Sequence, residues 1–309
     1  MKGLDERLHS ACSKGDIETV KQLLLNNPQK DLQFIGSTLL DIACRKGYIE
    51  IVKLLLNDGR IDVNKLNGNG GTVFSIACER GHIEVIKLLL NDQRVDVNQT
   101  RNTGQTPLLI ACQQGHIGVV KLLLNNPRVD INQATFNHWS PLYIACYSGH
   151  IEIVKLLLND KRIDVNKADN DGYTAFWIAC LSERIEIVKL LLNNQRTNIN
   201  ISSADGKAPL HISCKFGRVE IVQLLLNDQR IDVNKVDNDD QTQGVECILA
   251  SGSEVNLNYQ LEIQIARERQ NTEQGWESEE NFQERKNVYK NIVELLESFQ
   301  RNPNETRLN

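Results

Sequence analysis

The sequence predicts an all-α solenoid of stacked helix-turn-helix units joined by hairpin-like loops, on three observations. Six cysteines, Cys44, Cys78, Cys112, Cys146, Cys180 and Cys214, stand 34 residues apart, and Cys12 leads the series by 32. Each closes a Ser-Ala-Cys, Ile-Ala-Cys or Ile-Ser-Cys phrase, and a second phrase follows, as in Ile151-Glu152-Ile153-Val154-Lys155-Leu156-Leu157-Leu158, with copies from Ile17, Ile49, Ile83, Ile117, Ile185 and Val219. A third ends the unit: Asp62-Val63-Asn64, Asp96-Val97-Asn98, Asp130-Ile131-Asn132, Asp164-Val165-Asn166, Asn198-Ile199-Asn200 and Asp232-Val233-Asn234. Self-similarity at a fixed period marks a stacked array rather than the two globular domains that 309 residues could hold.

The first unit, 1–34, has no preceding loop and starts with Leu4, Leu8, Ala11 and Cys12 facing inward and Glu6, Arg7 and Ser10 outward, as an N-terminal cap requires. Six units follow over 35–70, 71–104, 105–138, 139–172, 173–206 and 207–240. In the unit at 105–138, Thr106-Pro107-Leu108 opens a short helix, because proline is tolerated where the helical N–H has no partner anyway. Leu108, Ala111 and Cys112 recur at i, i+3 and i+4 and share one face, and Gly115 ends the helix by taking the left-handed conformation at little cost. The second helix is expected to turn Ile117, Val120, Leu123 and Leu124 inward and Lys121 outward. An Asn after each second helix is a natural stop, and the polar stretch beyond it suits an exposed hairpin-like loop. No unit can bury both of its helices alone.

Past residue 240 the pattern loosens. Residues 241–258 keep loop phrases without a first helix and are read as a truncated, degenerate repeat. Residues 261–269 and 292–296 read as a first and a second helix. The stretch 259–300 is therefore expected to be a divergent C-terminal capping repeat with a charged insertion, and 301–309 a disordered tail.

These residues resemble the ankyrin repeat family. Thr106-Pro107-Leu108 through Gly115-His116, and Ala208-Pro209-Leu210-His211 through Gly217, are similar to its Thr-Pro-Leu-His and Gly-His signatures, whereas the Trp, Leu-Gly and Tyr pattern of the tetratricopeptide repeat is absent. The usual ankyrin period is about 33. The extra residue falls between Leu-Leu-Leu and Asp-Val-Asn, so it lengthens a loop and leaves the helices in register. The resemblance runs from residue 4 to about 238. It departs from the family in two ways. The signature Thr and His never occur in one repeat, so the family's Thr–His hydrogen bond is expected to be missing. Leu181-Ser182-Glu183-Arg184 replaces a glycine turn, where a left-handed Glu183 would cost roughly 1 kcal/mol.

The resemblance implies a concave face of hairpin tips and first helices that binds other proteins. In the third and fourth units this face carries Asn69, Glu79, Arg80, Asn102, Thr103, Gln105, Gln113 and Gln114. Beyond them it changes to Phe136, Trp139, Tyr147, Tyr173 and Phe216, with Trp177 in the neighbouring first helix. Half of the chain's 16 aromatic residues lie between 136 and 216. Because aromatic side chains are typical interface anchors, these six are the expected protein-binding residues. Trp177 and Phe176 also have the alternative of replacing core residues in the drifted phrase Thr174-Ala175-Phe176-Trp177.

Other chemistry finds little support. The chain is 40% hydrophobic and 24% charged with a formal net charge of −5, which argues against a nucleic-acid or membrane-surface partner. No apolar run approaches the ~20 residues of a membrane span, and MKGLDERLHS lacks a signal-peptide core, so a cytoplasmic, or alternatively nuclear, monomer is expected. In-register cysteines should lie ~10 Å apart, beyond the ~7 Å reach of a disulfide, and are expected to be small, reduced core residues. Cys247, outside the phrase, is the one candidate reactive thiol. His82, His116 and His150 are spread along the array and cannot converge on one metal. Gly68-Asn69-Gly70-Gly71 lacks the Lys-Ser/Thr of a phosphate-binding loop. No catalytic, metal-binding or cofactor-binding residue is expected. The expected function is a non-catalytic protein-protein interaction module, an adaptor, scaffold or inhibitor binding a protein or peptide. The alternatives are the targeting portion of a larger signalling protein and an enzyme in the C-terminal segment, whose acidic run at 277–280 has no His or Cys beside it.

Overall fold

A computed structural model describes residues 3–29, 32, 35–232 and 235, and among these described residues the chain forms seven consecutive pairs of α-helices. The expectations for 241–309, Cys247 included, lie outside these residues. The helices are α1 (Leu4–Lys14), α2 (Ile17–Leu25), α3 (Ile35–Lys46), α4 (Ile49–Leu56), α5 (Val73–Arg80), α6 (Ile83–Asn91), α7 (Pro107–Gln114), α8 (Ile117–Leu124), α9 (Pro141–Ser148), α10 (Ile151–Asn159), α11 (Ala175–Leu181), α12 (Ile185–Asn193), α13 (Pro209–Lys215) and α14 (Val219–Leu226). Among the described residues there is no strand. The chain divides into two compact units, residues 1–163 and 164–309. The division falls inside the loop of the repeat expected at 139–172, not at a repeat boundary.

Within the first unit the odd helices α1 to α9 pack side by side, as do the even helices α2 to α10; within the second, α11 lies on α13 and α12 on α14. Within the first unit α3, α5 and α7 are thus each covered on both flanks and by their own second helix. In α7 every residue from Pro107 to Cys112 is buried, which is why such helices are apolar all round rather than amphipathic. Their starts are capped alike: the hydroxyls of Thr72, Thr106, Ser140 and Thr174 each accept the N–H three residues on, at 3.1 Å. In α13 the partner changes, and the His211 ring Nδ1 accepts the Ala208 N–H at 3.1 Å.

The second helices correct one expectation. Val119, Val120 and Leu123 form the buried face of α8, while Ile117 is 39% exposed and Leu124 half-buried. Ile117 is the first helical residue and sits beside the turn, so the stripe that meets the core runs through positions three, four and seven of this short helix.

Gly115 shows why the turn between paired helices wants glycine. Its φ is 77°, and a Cβ there would come within 2.8 Å of the His150 ring, which packs over it from the next repeat. The His150 Nε2–H donates to the Gln113 carbonyl at 3.0 Å, and His82 and His116 make the same bond to Arg45 and Glu79. These histidines therefore tie repeats together. Glu183 does adopt the left-handed conformation, with φ 54°, and its carboxylate pairs with Arg218, which replaces the histidine of the series.

The loops explain the third phrase. Val63, Val97, Ile131, Val165 and Ile199 are buried, whereas the following Asn reaches the next repeat. Asn98 donates its Nδ2 to the Arg128 carbonyl at 2.7 Å and accepts the Asp130 N–H at 2.9 Å, and Asn64 and Asn200 repeat this two-way bridge. The lengthened part of the loop carries an arginine that points back one repeat. Arg94, Arg128, Arg162 and Arg230 donate to the last-turn carbonyls of Leu56, Leu90, Leu124 and Leu192 at 2.5–3.1 Å, completing acceptors that a helix C-terminus otherwise leaves open. Replacing Arg128, whose guanidinium meets the carbonyls of Leu90 and Val95, by Ala is expected to remove about 1–2 kcal/mol. Urea unfolding checks this, and a loss indistinguishable from zero would show that water serves these carbonyls equally well.

Of the in-register cysteines, Cys12, Cys44, Cys78, Cys112 and Cys180 are free thiols at 0% exposure, and Cys146 and Cys214 occupy the same buried position. Burial pushes the Cys12 thiol up to about 12, and pushes Cys44, Cys78, Cys112 and Cys180 higher still.

Candidate protein-interaction face

The five hairpin tips repeat one geometry. In each, the N–H of the first residue donates to the carbonyl four residues on: Asn67 to Gly71, Arg101 to Gln105, Thr135 to Trp139, Asp169 to Tyr173 and Ser203 to Lys207, at 2.9–3.1 Å. The fourth residue of each tip must be left-handed. Gly70, Gly104, Gly172 and Gly206 supply it with φ of 72–82°, but His138 supplies it with φ 61° and an ordinary side chain. A non-glycine residue there costs on the order of 1 kcal/mol, and its ring is exposed rather than packed into a compensating site.

His138 stands among the exposed aromatics of the first unit. Phe136, Trp139 and Tyr147 are 69%, 37% and 55% exposed, whereas Tyr143, one turn along α9, is buried. Trp139 stacks on Tyr143 with centroids 6.0 Å apart and planes 5° from parallel, which fixes the indole against the helix. Phe136 lies over the neighbouring tip, so close that a Cβ on Gly104 would meet its ring at 3.1 Å and its backbone N at 2.8 Å. Substituting His138 by Gly is expected to stabilise the chain by roughly 1 kcal/mol, read as a raised urea midpoint. A lowered midpoint would mean that the histidine ring makes a compensating contact.

The polar part of this face adjoins the aromatic part within the same unit. Gln105 Nε2 donates to Gln113 Oε1 at 3.0 Å, joining a tip to α7. Arg101 pairs with Glu79 across the next step. Burial pushes the Glu79 carboxyl up, but the Arg101 hydrogen bond and the charges of Arg101, Arg80 and Arg45 outweigh it and hold the group below its ordinary value. At the far end, Asn67 Nδ2 donates to Asp41 Oδ1 at 3.2 Å, and Arg45 meets the same carboxylate. A polar cavity of about 380 Å³ opens there between α3 and the first tip, lined by Asp41, Arg45, Lys65, Asn67 and Asn69 among others.

In the second unit Tyr173 is half-buried and stacks on Trp177 with centroids 3.9 Å apart. Burial, and then Asp205, Asp171 and Asp169, push its phenol up. Trp177 is only 3% exposed and donates its Nε1–H to the Lys207 carbonyl at 2.9 Å. Its surface is thus spent on the core and on Tyr173, as the alternative reading of its phrase allowed. Phe216, which follows α13, is 49% exposed. The strained tip at His138 was missed in the sequence, although a missing glycine in a 34-residue register was the signal that could have found it.

Among the described residues no group of three or more His, Cys, Asp or Glu is placed to hold a metal, and no helix is long and apolar enough to cross a membrane.

Comparison with known proteins agrees with the repeat. A family model described as ankyrin repeats in three copies matches at 8–101, 59–135, 75–169, 128–203 and 161–237. The chain is also similar to the tyrosine-protein kinase HTK16 of Hydra vulgaris, 40% identical over 72 residues, which is 22% of this chain and 9% of that protein. The chain therefore spans less than a tenth of the length of that relative. With its paired helices, left-handed glycine turns and loop bridges matched from residue 8 to residue 237, the chain belongs to the ankyrin repeat family.

Proposed function

We propose that the chain is a non-catalytic protein-protein interaction module, an adaptor, scaffold or inhibitor that works as a cytoplasmic or nuclear monomer and docks a protein or peptide on its tips and first helices. The observation that carries this is the tip at 135–139. There the repeat abandons its glycine for His138 and presents Phe136 and Trp139 beside Tyr147. Local rules broken without structural compensation mark functional positions, and rigid exposed aromatics supply interface energy at low ordering cost. Tyr173, held by Trp177, and Phe216 are the corresponding candidates in the second unit. Membership of the ankyrin repeat family supports the reading, because such repeats generally act through protein contacts rather than catalysis.

Affinity capture compares the wild type with a Phe136→Ala, Trp139→Ala, Tyr147→Ala variant, and the captured partner is then titrated in pure form. The variant is expected to bind at least thirtyfold more weakly, roughly 2 kcal/mol or more, with unchanged circular dichroism. An affinity within about threefold of wild type would remove these residues from the site.

A second reading, the targeting portion of a larger signalling protein, is favoured by the similarity to a short stretch of a tyrosine-protein kinase. Sequencing the native transcript through both ends of this reading frame tests it.

A further inference from the structure

We infer that the first unit's interaction face selects an acidic, extended peptide segment that carries an aromatic or branched apolar residue; this rests on the interaction reading above. Charge and shape on one continuous strip support it. From α3 to α9 the residues that follow each buried cysteine are Arg45 and Lys46, Glu79 and Arg80, Gln113 and Gln114, then Tyr147 and Ser148. The tips add Lys65, Arg101, Phe136 and Trp139. Contacts from tip to helix and tip to tip join these pieces: Asn67 with Asp41, Arg101 with Glu79, Gln105 with Gln113, and Phe136 over Gly104.

On this strip five cations, Arg45, Lys46, Lys65, Arg80 and Arg101, face two carboxylates, Asp41 and Glu79, although the whole chain has a formal net charge of −5. Both carboxylates are already engaged by arginines, Asp41 by Arg45 and Glu79 by Arg101. Lys46 and Arg80 are exposed. The excess positive charge is gathered at one end and the aromatic side chains at the other, with neutral glutamines between. A partner complementary to that pattern has carboxylates opposite the cations and an apolar side chain opposite Trp139 and Tyr147. Four first helices at a spacing of ~10 Å span about 30 Å, the length of roughly nine extended residues. A nucleic acid fits less well, because Asp41 and Glu79 interrupt the row of cations that a run of phosphates would need.

Fluorescence anisotropy with the purified full chain tests the inference. The probes are a labelled Glu-rich peptide with a central Phe-Leu pair, the same peptide with every Glu replaced by Gln, and a single-stranded oligothymidylate. The Glu-rich peptide is expected to bind at least tenfold more tightly than the Gln-rich one at low salt, with the difference shrinking as salt is raised. A Lys46→Gln, Arg80→Gln variant, confirmed as folded by circular dichroism, is expected to lose most of that difference. The Phe136→Ala, Trp139→Ala, Tyr147→Ala variant is expected to weaken both peptides. If both peptides bind the wild type equally and both weaken in the aromatic variant, the acidic selectivity is overturned while the interaction reading stands. Equal or tighter binding of the oligothymidylate, or failure of the Glu-rich peptide to bind, overturns the inference, and the capture experiment then decides the interaction reading separately.

Discussion

By about pH 10 the folded chain is expected to have lost on the order of 10 kcal/mol of its stability, comparable to the whole stability of an ordinary domain. The cause is the row of buried thiols. In the unfolded chain a cysteine ionises near pH 8.5. In the folded chain burial pushes Cys12 up to about 12 and Cys44, Cys78, Cys112 and Cys180 higher. Below about pH 8.5 the thiol is neutral in both states and the folded state bears no penalty. Above it the unfolded state releases protons that the folded state retains, so each thiol draws the equilibrium toward unfolding by up to ~1.4 kcal/mol per pH unit until its folded pKa is reached. Five thiols act in the same direction, and the loss should be steep. Urea unfolding in a reductant at pH 8, 9 and 10 measures it. A Cys78→Ala, Cys112→Ala variant should show a shallower pH slope. An unchanged slope would assign the alkaline loss to other groups.

The second large effect is expected at Phe74. Its ring is fully buried in α5, which packs between α3 and α7, and Phe74→Ala should cost about 3–5 kcal/mol through lost transfer energy and the cavity left behind. Phe74→Leu, which keeps most of the volume, should cost less than about half of that. In an array each repeat is held only by its neighbours, so a weakened central repeat also uncouples the two sides. The urea transition of Phe74→Ala is therefore expected to broaden as well as shift, whereas that of Phe74→Leu should only shift. A loss under about 1 kcal/mol with an unchanged slope would mean that the site collapses and refills the space.

Much of the repeat was legible because its signals are local. A hydroxyl before Pro or Ala, the spacing of Leu108, Ala111 and Cys112, and the left-handed glycine at Gly115 each act within one helical turn. The error over Ile117 arose where locality ended. Val119 and Ile117 are both apolar and close in sequence, and the core selects between them by which flank of α8 meets α6 and α10. The aromatic candidates divided for the same reason. Tyr147 and Tyr143 lie one turn apart on α9, yet one is 55% exposed and the other 6%.

By itself the sequence determined the period, the helix pairs, the buried cysteine row and the family, since all of these follow from patterns within 34 residues. Only the tertiary structure decided what one repeat does to the next: the arginines that reach back 38 residues to helix-end carbonyls, the histidine rings that pack over the turn glycines of the preceding repeat, and the aromatics left in solvent. Those outcomes depend on what the adjacent repeat covers, and coverage is a property of two repeats packed together that neither one contains.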